Sequence, residues 1–274
     1  MTAHHDDCPK KQRRSSHRGA LHTTFSSVSE LPQRALKALE RARNKKLSYA
    51  VRLVQSPEGR IVAVLGEAHM KMAEAAEIGR GVVEAFELRG VETFQRKKVF
   101  LGRALGFLIQ APRLLLRVIT LGAMKGSTIT EARQLPSGYT VEIERTKKVP
   151  FGLHVTSAYM TMFFTLATLA LLLPILMIVT PGLATALIGV LVAFELHMLL
   201  LIPAILLRRF TWSWVIHPLI GILTLRDHLM AAGTVEMLKD HPKTQHAVVV
   251  MGRAHVSGFT RLLVDKYGFT PIER

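Results

Sequence analysis

Two short motifs of one pattern place histidine where a metal ion could be bound. Gly66-Glu67-Ala68-His69 and Gly252-Arg253-Ala254-His255 each follow a short apolar run and precede a helical pattern. Each histidine is therefore expected to leave the carboxyl end of a strand, which is the edge at which open α/β sheets bind ligands. Glycine at such a turn permits a close backbone approach that a side chain would block.

Metal binding is the chemistry that this pair offers, provided that the two strands are close in the sheet. The imidazoles of His69 and His255, with one carboxylate, form a familiar site for Zn²⁺, Mn²⁺, Fe²⁺ or Co²⁺. The alternative interpretation is that both are turn residues, each making one backbone hydrogen bond. Because Cys8 is the only cysteine, a disulfide within the chain and a cysteine-based zinc cluster are excluded.

The elements that would deliver these motifs alternate between strands and helices. The patterns predict strands at 49–54, 61–65, 82–88, 139–145 and 247–251, and helices at 71–79, 130–134, 219–238 and 256–266. The long apolar stretch 99–121 contains three arginines, which favours an interfacial or packed helix over a spanning one. This alternation predicts one α/β domain assembled from two chain segments.

Two uninterrupted apolar stretches separate those segments. Residues 158–180 and 183–207 contain a single ionisable pair, Glu195 and His197, and only Pro181-Gly182 lies between the stretches. Each is longer than the ~20 residues needed to cross a bilayer, so they predict a transmembrane helical hairpin. Glu195 and His197 do not face each other on a helix. They are candidates for a proton or ion relay, or for an interhelical hydrogen bond.

Charge predicts how the chain meets the membrane. Lysine and arginine total 36 against 20 acidic residues, a net charge of +16. Basic residues flank the hairpin on both outer ends and are absent from its turn, which predicts an integral protein of the inner or plasma membrane with both termini cytoplasmic. Without a recognisable nucleic-acid-binding module, an anionic lipid surface is the preferred partner over nucleic acid. The predicted organisation is a solvated basic tail (1–30), a basic amphipathic helix (31–47), the first half of the α/β domain (48–150), the hairpin (155–210) and the second half (211–274).

The two motifs, with the strands before them, resemble the paired Gly-x-x-His signature of the TraB/PrgY/GumN/Tiki family. The residues concerned are Val62 to His69 and Val248 to Phe259. Further pieces fall in the order of that family, namely Glu87-Leu88, Glu131, Glu144-Arg145 and Arg226-Asp227. The resemblance covers roughly residues 48–150 and 211–274, and it implies a TraB-like α/β fold interrupted by the hairpin.

The resemblance also implies metal-dependent hydrolysis, since the best-known branch of the family comprises membrane-tethered metalloproteases. On this hypothesis His69 and His255 bind a divalent ion, and Glu87 or Glu67 supplies a carboxylate. A second carboxylate acts as general base. As alternatives, Glu67 is a solvated turn residue and Glu87 a salt-bridge partner.

Two arginines complete the hypothetical catalytic set. Arg145 or Arg226 stabilises a developing oxyanion or holds a substrate carboxylate. The alternatives are that Arg226-Asp227 is a helix-surface pair and that Arg145 meets phospholipid at the membrane interface. The leading function is hydrolysis of a peptide, and the second is a non-catalytic membrane receptor or regulator that sequesters a peptide signal in the same cleft.

Overall fold

The structure is a computed structural model that describes residues 31–68, 71–95, 97–120, 124–125, 127–146, 148–208 and 210–272. The strands are β1 (Tyr49–Gln55), β2 (Ile61–Glu67), β3 (Lys71–Met72), β4 (Leu88–Val91), β5 (Met124–Lys125), β6 (Tyr139–Glu142), β7 (His246–Gly252) and β8 (Thr270–Pro271). The helices are α1 (Gln33–Asn44), α2 (Ala73–Glu84), α3 (Gly102–Ile119), α4 (Thr128–Gln134), α5 (Phe151–Leu171), α6 (Leu173–Val179), α7 (Pro181–Met198), α8 (Leu201–Leu206), α9 (Gly221–Asp240) and α10 (Val256–Tyr267). The predicted tail at 1–30 lies outside the described residues.

A mixed six-stranded sheet organises the α/β fold, in the order β6-β4-β7-β2-β1-β8. Strands β6, β4, β7 and β2 run parallel, whereas β1 is antiparallel to β2 and to β8. Strands β2 and β7 are direct neighbours, and Glu67 pairs with Gly252 at their carboxyl ends. The two motif strands therefore end side by side, as the metal hypothesis requires.

Burial on both faces explains why β2 and β7 are continuous apolar runs. Successive strand residues point to opposite faces, and helices cover both faces of the parallel strands. Ile61 and Leu65 pack with residues of α1, α2 and α4 on one face. Val62 and Val64 pack with residues of α9 and α10 on the other. The α/β class predicted from alternation is confirmed.

The strand predicted at 82–88 is wrong. Val82 and Val83 belong to α2, and β4 begins only at Leu88. The buried residues Ala75, Ala76, Val82 and Val83 recur at helical spacing, so this short apolar run continues the period of the preceding helix. A run of this length fits a strand or a buried helix equally well by composition.

Two helices are long and apolar enough to cross a membrane. They span Phe151–Leu171 and Pro181–Leu206, with only 22% and 11% of the residues in their most apolar windows buried inside the structure. A core helix of a soluble protein would be mostly buried, whereas large side chains such as Leu171, Leu183 and Leu196 are exposed here. Pro174 follows the break between α5 and α6, where a backbone donor is lost.

The foot of the hairpin, by which we mean residues 151–159 of α5, packs directly on the α/β domain. The Thr156 hydroxyl on α5 donates to the carbonyl of Pro218 at 2.9 Å. Nε2 of the buried His217 lies 3.3 Å from the Tyr159 hydroxyl oxygen. The His217 ring stacks on the ring of His197, with 4.8 Å between the ring centroids. Glu195 on α7 is exposed. His197 thus packs against the foot, on a different side of the helix from Glu195.

Candidate functional site

Five charged or titratable side chains meet beyond the carboxyl ends of the parallel strands. Glu92 follows β4, Glu144 follows β6 and His255 follows β7, while Arg226 and Asp227 lie on the second turn of α9. All five are less than 10% exposed. We call them the ion cluster. Parallel strands deliver the residues after them to one edge, so this position is where an α/β sheet is expected to bind ligands.

Arg226 joins the two glutamates of the ion cluster. Its Nε and Nη2 donate to the two carboxylate oxygens of Glu144 at 2.6 and 2.8 Å, and its Nη2 also donates to Glu92. The Phe94 ring lies 5.0 Å from the guanidinium carbon. Burial alone would lower the pKa of Arg226, but Glu144 and Glu92 raise it. The paired geometry is typical of strong arginine–carboxylate interactions.

Glu92 is a buried carboxylate that stays ionised. The backbone N–H of Gly252, at the end of β7, donates to it, and Nε2 of His255 lies 3.8 Å from its Oε1. Burial would raise the pKa of Glu92, but the charges of Arg226 and His255 and the Gly252 amide lower it to about 2. Such a carboxylate is a weak proton acceptor near neutral pH and suits a metal ligand or a fixed counter-charge.

Asp227 orients the ring of His255. Its Oδ1 lies 2.6 Å from Nδ1 of the imidazole, so an ionised Asp227 accepts the Nδ1 proton and Nε2 remains directed toward Glu92. Burial raises the pKa of Asp227, and the hydrogen bond from His255 opposes that rise. A β-carbon at Gly258 would lie 1.9 Å from Oδ2 of Asp227. The start of α10 can therefore approach Asp227 on α9 only because residue 258 has no side chain. Carboxylate–histidine pairs of this kind fix metal-binding or proton-accepting imidazoles.

Contact between the two motifs depends on Gly66. A β-carbon there would lie 2.1 Å from a methyl group of Val256 and 3.1 Å from Cα of Arg253. The first motif therefore packs against the turn that carries His255. His69, the other predicted ligand, lies outside the described residues. Among the residues that the structure describes, no three histidine, cysteine, aspartate or glutamate side chains surround a common metal position.

Glu67 anchors a helix at this edge of the sheet. Its side chain is 1% exposed and accepts hydrogen bonds from the Ser127 hydroxyl and, at 2.9 Å, from the Thr128 N–H. These donors stand at the start of α4, where backbone N–H groups lack partners within the helix. The alternative of a solvated turn residue is wrong, because this carboxylate is buried and hydrogen bonded.

Glu87 and Arg145 are not brought into the ion cluster. Glu87 is exposed and precedes β4, whose first residue, Leu88, pairs with Ala247 near the start of β7. At ~3.3 Å per residue, this is roughly 17 Å from Gly252 and the turn that carries His255. Glu87 therefore cannot share a metal ion with His255 in this fold. Arg145 follows the cluster residue Glu144, but its own side chain is exposed.

Sequence reasoning missed Glu92 and undervalued Asp227. The alternative of an Arg226-Asp227 pair on a helix surface is wrong, since both residues are 6% exposed. Glu92 directly follows the apolar strand Leu88–Val91. A position directly after an apolar strand is also what singled out the two histidine motifs. Glu92 was missed because the predicted strand ended at Leu88 instead of beginning there.

The chain matches no protein-family model, no curated protein and no solved structure. The TraB-like resemblance of the motifs therefore stays a prediction, and the chemistry of the site is argued from its geometry.

Proposed function

We propose that this protein is a membrane-anchored, TraB-like, metal-dependent hydrolase with its centre at the carboxyl ends of β2, β4 and β7. The observation that carries the proposal is the buried Asp227–His255 pair beside the ionised carboxylate of Glu92. It lies at the sheet edge where β2, with the start of the first histidine motif, also ends. A peptide is the substrate class, as the resemblance of the motifs implies.

The donor atoms at this edge fit a divalent ion. Imidazole nitrogen and carboxylate oxygen are ligands that Zn²⁺, Mn²⁺, Fe²⁺ and Co²⁺ share. Nε2 of His255 and the carboxylate of Glu92 would hold the ion, and His69, two residues after β2 in the sequence, would be the third donor. When bound, the ion would acidify a water molecule and polarise a carbonyl group.

The other cluster residues hold these donors in place. Asp227 accepts the Nδ1 proton of His255 and so keeps Nε2, which would give up its proton when a metal ion binds, directed into the site. Arg226 keeps Glu92 ionised and fixes its position by also pairing with Glu144. Because Nε and Nη2 of Arg226 already bind carboxylates, we assign Arg226 to positioning rather than to stabilising an oxyanion.

The hairpin anchors the domain in this proposal. Two apolar helices of 21 and 26 residues have Lys148 before them and Arg208 after them. The length and apolarity of the two helices make the protein integral to the inner or plasma membrane in this proposal. The positive-inside rule then puts both termini, and with them the candidate site, on the cytoplasmic side.

Metal content tests the proposal. The full chain, purified in lipid nanodiscs and supplied with zinc, manganese, cobalt and iron in turn, is expected to retain one divalent ion and to cleave a quenched fluorescent peptide library. His255→Ala should abolish both properties. His241→Ala is the matched control, since His241 lies at the end of α9 beyond the ion cluster. Full metal content and full cleavage in His255→Ala would reject the hydrolase.

A receptor that binds a peptide without cleaving it is the second candidate. The observation that favours it is that Arg226 forms ion pairs with both Glu92 and Glu144. Their charges are therefore balanced within the cluster, as a purely structural role requires. Saturable peptide binding by the nanodisc protein, with no cleavage under any of the four metals, would support the receptor over the hydrolase.

A further inference from the structure

Exposed aromatic, apolar and basic side chains adjoin the foot of the hairpin. Phe100, Leu101 and Phe107 are 61%, 44% and 72% exposed, and Lys97 and Arg103 beside them are exposed as well. We call these five residues, at the start of α3 and just before it, the α3 patch. Exposed apolar residues interleaved with basic ones are typical of surfaces that lie in a membrane interface.

The α3 patch is continuous with the apolar surface of the hairpin. The backbone N–H of Phe100 donates to Nδ1 of His154, in the first turn of α5, at 3.1 Å. Val99 is buried against Leu153 of the same turn, and Phe151, the first residue of α5, is 74% exposed. A bilayer that surrounds α5 and α7 therefore meets this patch where the chain enters the membrane.

Backbone strain is found at the centre of the patch. Leu101 has a φ of 55°, and it is the one non-glycine residue with a positive φ among the described ranges. The left-handed conformation is unfavourable for leucine because its β-carbon crowds the following carbonyl oxygen. The exposed apolar area around Leu101 is costly in water. Strained residues persist where surroundings or function require them.

We propose that the α3 patch lies in the lipid leaflet from which the hairpin enters, so that the α/β domain docks on the membrane through a second contact. Lipid supplies the apolar surroundings that Phe100, Leu101 and Phe107 lack in water. Lys97 and Arg103 meet anionic headgroups, each contributing to the attraction. The partner of this surface is an anionic bilayer.

With the patch docked, the ion cluster lies on the side of the α/β domain that faces the membrane. Arg208, after the second apolar helix, donates through Nη2 to the Ser257 hydroxyl at 3.2 Å, two residues beyond His255. Gly221, which adjoins Thr156 of α5, begins the helix that carries Arg226. The site and the hairpin foot thus share one edge of the sheet. If the proposed hydrolase is correct, on which this step rests, its peptide substrate is presented at the membrane surface.

Spin labels test the docking directly. In a Cys8→Ser background, single labels are placed by Phe107→Cys in the patch, Leu196→Cys in the hairpin and Lys243→Cys in the exposed loop before β7. Accessibility to oxygen and to a water-soluble nickel complex is measured in nanodiscs of phosphatidylcholine with and without phosphatidylglycerol. Labels at 196 and 107 should be reached by oxygen and protected from nickel, and the label at 243 should be open to nickel.

Charge reversal supplies the matched control. Lys97→Glu with Arg103→Glu should shift the docking equilibrium by at least about 30-fold in anionic nanodiscs, since two basic residues are lost and two acidic ones are added. The shift is seen as nickel access at 107, whereas Lys97→Arg with Arg103→Lys should leave that label protected. Nickel access at 107 with 196 protected would overturn the docking alone. Nickel access at 196 would overturn the membrane anchor and the docking together.

A lipidated substrate separates the docking from the hydrolysis. A quenched peptide carrying a palmitoyl chain, bound to the nanodisc, should be cleaved several-fold faster than the same peptide free in solution, and the charge reversal should remove the difference. Equal rates would overturn presentation at the membrane. Cleavage of neither peptide would reject the hydrolase and with it this substrate class, while the label at 107 still decides the docking.

Discussion

Removal of the Arg226 side chain tests whether the ion cluster holds this edge of the sheet together. Arg226→Met keeps an unbranched side chain but leaves Glu92 and Glu144 buried without their cation. Breaking a buried ion pair by removing one partner costs about 3–5 kcal/mol. The pKa of Glu92, which falls from its ordinary 4.5 to about 2, corresponds to about 3 kcal/mol. Part of that shift comes from His255 and the Gly252 amide, so we expect a local loss near the lower end of this range at neutral pH.

Hydrogen–deuterium exchange of the nanodisc protein measures this loss where it occurs. Amides of β4, of β7 and of the residues just after them should exchange about 100-fold faster in Arg226→Met. The control is Arg80→Met, which removes an exposed pair with Glu84 one helical turn away and should leave the exchange of β4 and β7 unchanged, because exposed pairs contribute little to stability. Adding Glu144→Gln to Arg226→Met should restore part of the protection, because one unpaired charge is then gone. Unchanged exchange in Arg226→Met would refute the ion-cluster argument.

Further outcomes follow from the same contacts. Because the pKa of Glu92 is depressed in the folded state, its stabilising contribution is complete above about pH 4.5 and is lost as the pH falls toward about 2. The melting temperature measured against pH should therefore lose this acid step in Glu92→Gln. An unchanged profile would contradict the assignment. Gly66→Ala should destabilise the domain, with partial rescue by Val256→Ala, since the new methyl group would otherwise overlap that valine; equal melting temperatures for Gly66→Ala and the unaltered chain would oppose this. Gly258→Ala should displace the Asp227 carboxylate and lower metal retention without unfolding the protein, as metal analysis beside circular dichroism would show.

Local patterns were sufficient to predict the α/β class and the hairpin. The runs Ile61–Leu65 and Ala247–Met251 are apolar at every position because helices cover both faces of the strands they form. The two helices long and apolar enough to cross a membrane were predictable from length, since a bilayer sets a minimum number of apolar residues. The metal hypothesis required the two strands to be close in the sheet, and the pairing of Glu67 with Gly252 meets that condition.

The ion cluster was beyond the reach of these patterns because its pairs join distant segments. Arg226 meets Glu92 across 134 positions and Glu144 across 82. Neither spacing has a period that a sequence could reveal. What predicts such pairs is topology: four parallel strands deliver their following residues to one edge, and α9 must start at that edge to return the chain to the start of β7.

The misplaced strand shows how one local error shifts a whole chemical hypothesis. Ending the strand at Leu88 made Glu87 the acidic residue next to it, and Glu87 lies at the amino edge. Beginning the strand at Leu88 instead makes Glu92 the acidic residue at the carboxyl edge, beside His255. The choice between the two depends on whether Val82 and Val83 continue a helix, which their spacing from Ala75 and Ala76 favours. A prediction of metal ligands in a parallel sheet therefore depends first on the strand boundaries, because the boundary decides at which edge a carboxylate lies.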